Sequence, residues 1–207
     1  IAGQTTTIIN MGIIYTSSPI FIILLSYLFF KEKINFFKFI GFLSCFIGVL
    51  IIIIKGEYLT LISLKFTKGD LWMLGASIGW ALYSIFLFNW KSSLNIFERL
   101  TAISFFGALS LLPFYLFEEN FIANTLFDTK FLFWVLFAAI SPGIIAFILY
   151  TYTQKYLGAT TTGFTLYLYT VYGAFYGILF FGETLEVFHI YGTFLVFLGV
   201  YLVRKKA

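Results

Sequence analysis

Charge is scarce in this sequence. Asp, Glu, Lys and Arg make up 11% of its 207 residues, where a soluble domain carries about 25%. Cysteine occurs once, at Cys45, which excludes an internal disulfide. Histidine occurs once, at His189, and no Cys, Asp or second His stands near it at metal-ligand spacing. No basic run is longer than Arg204-Lys205-Lys206, so the net charge of +4 does not imply nucleic acid. The apolar stretches also lack a carboxylate pair, which weighs against a membrane-embedded transferase needing an acid, a base or a nucleophile with partners. Neither an enzyme nor a metal or cofactor is expected.

Apolar surface is what the chain has instead. Hydrophobic residues make up 61% and aromatics 23%. A soluble protein of this size could not hide that much. A helix crossing a bilayer needs about 20 mostly apolar residues. Seven segments qualify, roughly 6–30, 36–54, 70–90, 98–117, 130–153, 160–181 and 187–203. Barrel strands would be about 10 residues long and would alternate. These runs are longer and uniformly apolar, so the expected fold is an all-α, polytopic membrane helix bundle.

The positive charges set an orientation. With the C-terminal tail inside, nine Lys/Arg fall on the inner side, among them Lys31, Lys33, Lys38, Lys91, Arg99 and Lys155. Four fall outside: Lys55, Lys65, Lys68 and Lys130. The positive-inside rule therefore puts the C-terminus in the cytoplasm, and an inner (cytoplasmic) membrane is expected. Seven acids, including Glu118, Glu119, Asp128 and Glu183, fall on the outer side.

The first two segments resemble the last two. Leu28-Phe29-Phe30-Lys31-Glu32 matches Leu179-Phe180-Phe181-Gly182-Glu183. Gly41 and Gly48 follow the first glutamate at the spacing at which Gly192 and Gly199 follow the second. Upstream, Thr5-Thr6-Thr7 matches Thr160-Thr161-Thr162. Glu32 lies among lysines on the inner side, and Glu183 lies in a break without Lys or Arg on the outer side. Equivalent loops on opposite faces define an inverted-topology repeat, the arrangement that places a solute site at the repeat interface in many carriers. The equivalents are the first and sixth segments, so five helices per repeat fit. The expected layout is seven transmembrane helices of ten, as two inverted five-helix repeats with the first truncated. Residues 1–58 hold the last two helices of that first repeat, and 68–207 hold the complete second. The chain begins at Ile1 in a polar stretch, and an upstream portion with three helices is expected.

This pattern resembles the EamA-type members of the drug/metabolite transporter superfamily. The matching residues are Ser18-Pro19, Lys31-Glu32-Lys33, Gly41 and Gly48 in the first part. In the second they are Gly69-Asp70, Ala76, Trp80-Ala81-Leu82-Tyr83-Ser84, Leu157-Gly158-Ala159-Thr160 and Gly182-Glu183. The resemblance implies a ten-helix carrier. One departure is Thr170, which stands where a proline matching Pro19 is common, so a straighter sixth helix is expected.

Polar residues inside spans should face a bundle interior or a cavity. The residues so selected are Asn10 in the first helix, Ser77, Trp80 and Ser84 in the third, and Thr165 and Tyr169 in the sixth. Tyr172 and Tyr176 continue the last stripe. These form the expected solute site, suited to neutral or zwitterionic, partly apolar solutes. Ser141-Pro142-Gly143 interrupts the fifth run. Gly41, Gly48, Gly192, Gly199 and the Gly173/Gly177 pair are expected at close helix contacts. Asp70, at a helix start, is the nearest approach to an intramembrane charge. The expected function is secondary transport by alternating access, with a non-transporting scaffold or receptor as the alternative. Expected partners are a small-molecule solute, membrane lipid and, as an option, a second copy in a homodimer.

Overall fold

The computed structural model describes residues 2–116 and 129–204. Glu118, Glu119, Asp128, Lys205, Lys206 and the end of the expected 98–117 segment lie outside the described residues. All regular elements among the described residues are helices. The chain forms two compact units, one of residues 1–89 with 157–207 and one of residues 90–156.

The larger unit opens with α1 (Ala2–Thr5), α2 (Ile8–Thr16) and α3 (Ser18–Phe30). Together, α2 and α3 make one span broken at Ser17. The break follows from Pro19, which lies in the first turn of α3. Proline has no N–H to donate and clashes with the carbonyl four residues back, so the helix restarts there. The chain continues through α4 (Phe36–Ile53), α5 (Tyr58–Ser63) and α6 (Lys68–Asn89). Asn35 caps α4, its side-chain oxygen accepting from the Lys38 N–H at 2.7 Å.

The smaller unit holds α7 (Ile96–Leu116), α8 (Thr129–Ala138) and α9 (Ala146–Leu157). A π-helical turn, Ala139–Ile145, joins α8 to α9 and contains Ser141-Pro142-Gly143. The wide turn absorbs the proline without ending the span. Hydroxyls here bond back along their own helix, Ser110 to the Phe106 carbonyl and Thr151 to the Phe147 carbonyl, each at 2.8 Å. That satisfies them where water is absent.

The larger unit resumes with α10 (Ala159–Gly163), α11 (Thr165–Phe181) and α12 (Val187–Arg204). Six of the expected segments form helices long and apolar enough to cross a membrane. The seventh, Val187–Val203, is apolar but shorter. The helix α11 runs unbroken through Thr170, while the break in that span falls at Phe164.

The closest packing joins α4 to α12. A Cβ placed on Gly48 would lie 2.6 Å from the Gly192 carbonyl oxygen, and one on Gly192 would lie 2.7 Å from that of Gly48. A Cβ on Gly41 would lie 2.7 Å from the Gly199 carbonyl oxygen, and one on Gly199 would strike Gly41 in return. The helices are therefore antiparallel, with bare backbone against bare backbone. Cys45 and Val196, both fully buried, fill the seam between the glycine pairs. Ser44 adds a bond across it, its hydroxyl donating to the Leu195 carbonyl at 2.7 Å. Lipid tails are as apolar as leucine, so helix association in a bilayer depends on such close contact.

The helix ends carrying the matched glutamates are alike as well. Lys31 ends α3 with a φ of 54°, and Gly182 ends α11 with a φ of 70°. The next N–H, of Glu32 or Glu183, donates back to the carbonyl of Ser26 or Gly177, each at 3.3 Å. Both are Schellman-type ends.

Candidate functional site

A cavity of about 600 Å³ lies in the larger unit, walled by α2, the end of α4, α11 and the start of α12. Its size falls in the usual range for small-molecule sites. Four tyrosines line it: Tyr15, Tyr169, Tyr172 and Tyr176. Spacing explains three of them, because residues three and four apart on α11 share one face. Tyr15 reaches from α2, and its ring meets that of Tyr169 edge to face at 5.9 Å. Thr16 and Thr170 add hydroxyls. The Thr16 hydroxyl is already bonded to the Ile13 carbonyl at 2.8 Å.

One end of the cavity is charged. Lys55, Glu183 and His189 line it there, and the same three residues line an adjoining polar cavity with Glu57 and Glu186. His189 is held in place by the Glu186 N–H, which donates to its Nδ1 at 3.0 Å. The surface thus offers aromatic faces along its length and both signs of charge at one end. It can hold an apolar or aromatic body with a polar or zwitterionic head.

The residues selected from sequence fall in several places. Tyr169 lines the cavity and is well exposed to it. Thr165, on the same stripe, donates its hydroxyl to the Thr162 carbonyl at 2.7 Å. Asn10 is buried beside Asp70, lining a small pocket of about 180 Å³ with Lys65 and Phe66. Ser77 is buried, its hydroxyl 3.4 Å from the Ile14 carbonyl, and ties α6 to α2. Ser84 is fully buried. Trp80 is half-buried, its ring 5.6 Å from that of Tyr83 and packed against the Ile22–Ile85 cluster. Asn10 and Ser77 thus share the α2–α6 contact, while Tyr169 stands on the other side of α2. Lys55, Thr170, Gly173 and His189 were not selected, and they line the same cavity as Tyr169.

The glycines divide too. Gly41, Gly48, Gly192 and Gly199 make the helix contact expected of them. Gly173 and Gly177 do not make one here. A Cβ on Gly173 meets nothing within 4 Å, and one on Gly177 meets the folded-back carboxylate of Glu183. On the other matched glutamate, Glu32, one carboxylate oxygen accepts from the Thr160 hydroxyl at 2.7 Å. The other lies 3.4 Å from Lys38 Nζ.

Long apolar helices, backbone-to-backbone helix contact and a tyrosine-lined cavity define an integral membrane protein of the helix-bundle class. The model of the EamA-like transporter family matches residues 1–54 and 67–205, and the chain belongs to that family. It is similar to an uncharacterized transporter of Methanothermobacter thermautotrophicus, 27% identical over 120 residues, covering 52% of this chain and 35% of that protein. It is also similar to two uncharacterized transporters of Bacillus subtilis. With YyaM it is 24% identical over 157 residues, 76% of this chain and 52% of that one. With YetK it is 29% identical over 150 residues, 71% of this chain and 44% of that one. The chain spans about half or less of the length of these curated relatives. The family and these three relatives are all named as transporters.

Proposed function

We propose that this chain forms part of a secondary carrier. It moves a neutral or zwitterionic, partly apolar solute across the membrane by alternating access. The cavity between α2 and α11 carries the reading, because these are the helices that sequence matching makes equivalent. The α4–α12 contact supports the same symmetry. Gly41 is matched to Gly192 and Gly48 to Gly199, and each glycine touches the partner of the other. Antiparallel contact that maps onto itself in this way is what a two-fold axis in the membrane plane produces. Residues 1–58 and 68–207 then belong to inverted repeats, and one repeat rocks against the other around the cavity. The six residues chosen from sequence divide accordingly. Tyr169 touches the solute, and Asn10, Ser77, Trp80, Ser84 and Thr165 shape the helices around it. The matched glutamates are gate elements, with Glu32 engaged at Thr160 and Glu183 at the cavity mouth.

Uptake of labelled solutes into vesicles tests this reading. Full-length protein should move aromatic or branched zwitterions and amphiphilic neutral solutes faster than empty vesicles do. Flux equal to empty vesicles across a broad panel, with folded protein present, sinks it. A scaffold would give that result.

A further inference from the structure

Asp70 is a buried carboxylate that the transport reading leaves unused. It is 1% exposed and sits in the first turn of α6. Thr6 donates its hydroxyl to one carboxylate oxygen. Asn10 Nδ2 donates to the other at 3.0 Å, and the Thr67 N–H donates to the same oxygen at 2.7 Å. The Thr67 bond has a local explanation as the reach-back half of a capping box. The other two do not. Thr6 and Asn10 lie 64 and 60 residues away in sequence, so the carboxylate ties the first span to α6. Asn10 Nδ2 also donates to the Lys65 carbonyl at 3.0 Å, which fixes the amide's orientation.

The tied segment is short and interrupted at both ends. Nine residues long, α2 starts at the Thr7 cap and stops at the Ser17 break. It has two working faces. Asn10, Ile13 and Ile14 line the small pocket over Asp70. Ile8, Ile9, Gly12, Tyr15 and Thr16 line the large cavity. Whatever moves α2 on one side reshapes the cavity on the other.

An ionised carboxylate only accepts, and three donors meet it here. A proton on it turns one oxygen into a donor and leaves the incoming groups competing for fewer acceptor sites. Other titratable groups on the elements around it are few. Lys65 and Lys68 have exposed side chains, Tyr15 faces the cavity, and α1 carries none.

We propose that Asp70 is a positioning residue whose protonation, reached through the small pocket, releases α2 and so opens or narrows the solute cavity. This rests on the transport reading for its purpose, and its test does not depend on any solute. Spin labels at Ile8→Cys and Tyr176→Cys, in a Cys45→Ala background of the full-length protein in nanodiscs, report the distance across the cavity. Between about pH 7 and pH 2.5, a window that extends well below the ordinary carboxylate range, the distance should change by about 2 Å or more, the scale of helix shifts in switching proteins. Asp70→Asn should hold the low-pH distance at every pH, and Asp70→Glu should restore the change. Asn10→Ala, which cuts the carboxylate's bond to α2 itself and leaves the Thr6 bond, should shift the distance toward its low-pH value at every pH. A distance that is flat with pH in the parent, or a change that survives in Asp70→Asn, overturns the proposal. Absence of flux would defeat the transport reading and leave these distances interpretable.

Discussion

Gly48→Leu should sharply lower the melting temperature of the folded protein. The position allows no side chain. A Cβ there would meet the Gly192 carbonyl oxygen at 2.6 Å, the Leu195 Cβ at 2.9 Å and the Val196 nitrogen at 3.0 Å. Those are main-chain atoms or the Cβ next to them, and none can swing aside as the tip of a long side chain can. The two helices must separate, and the Ser44 bond to Leu195 and the Cys45–Val196 contact are lost with them. Overpacking a rigid core typically costs about 1–3 kcal/mol, and backbone collision puts this case at or above the upper end. For a chain of this length that is a fall in melting temperature of roughly 10 °C. Thermal melts and gel-filtration profiles in detergent read it directly. Gly192→Leu should behave alike, since each glycine is the other's obstacle. Gly75→Ala serves as the control, because a Cβ there meets nothing within 4 Å. On helix propensity it should be neutral or stabilising by about 1 kcal/mol. Equal melting of Gly48→Leu and Gly75→Ala would show that α4 and α12 do not meet as described.

The glycines also mark what the sequence could and could not disclose. Spans were legible because length and apolarity are properties of a segment alone. Helix ends at Lys31-Glu32 and Gly182-Glu183 were legible as a repeated pattern, and the structure gives both the same 6→1 closure. The interruption at Ser141-Pro142-Gly143 was legible because proline cannot continue an ordinary ladder. Partnership across the bundle was not legible. Asn10 reads as a cavity residue on its own helix, and only the return of α6 puts Asp70 beside it. Thr165 and Tyr169 share a stripe, yet one hydroxyl is bound to its own helix and the other residue faces the cavity. The two stripes of α2 cannot be ranked from sequence, because which one meets a cavity depends on α11. Gly48 and Gly173 are the same letter in similar apolar surroundings. One is packed to contact and the other is open, and no local pattern separates them.

That difference leads to the second large effect. Gly173→Phe should stop transport and leave the fold intact. Gly173 lies one turn from Tyr169 on the cavity face of α11, and a Cβ there meets nothing within 4 Å. The new ring enters the space that Tyr15, Tyr172 and Tyr176 border, so it occupies volume a solute would use. Replacing a mid-helix glycine by phenylalanine also gains a few tenths of a kcal/mol, roughly, in helix propensity, so melting should hold or rise. Flux of a solute the parent carries should fall at least tenfold, about 1.4 kcal/mol on the barrier. The pair of substitutions then separates two roles that one residue type plays in one bundle. Gly48→Leu lowers the melt and the flux together, whereas Gly173→Phe lowers flux alone. Full transport by Gly173→Phe would mean that the solute passes elsewhere, and the tyrosine-lined cavity would lose its place in the mechanism. Loss of flux accompanied by collapse of the melt would mean that α11 packs on that face in the working protein. The first result takes the cavity out of the solute's path and the second contradicts the open wall at Gly173, so the melt and the flux must be read on the same preparation.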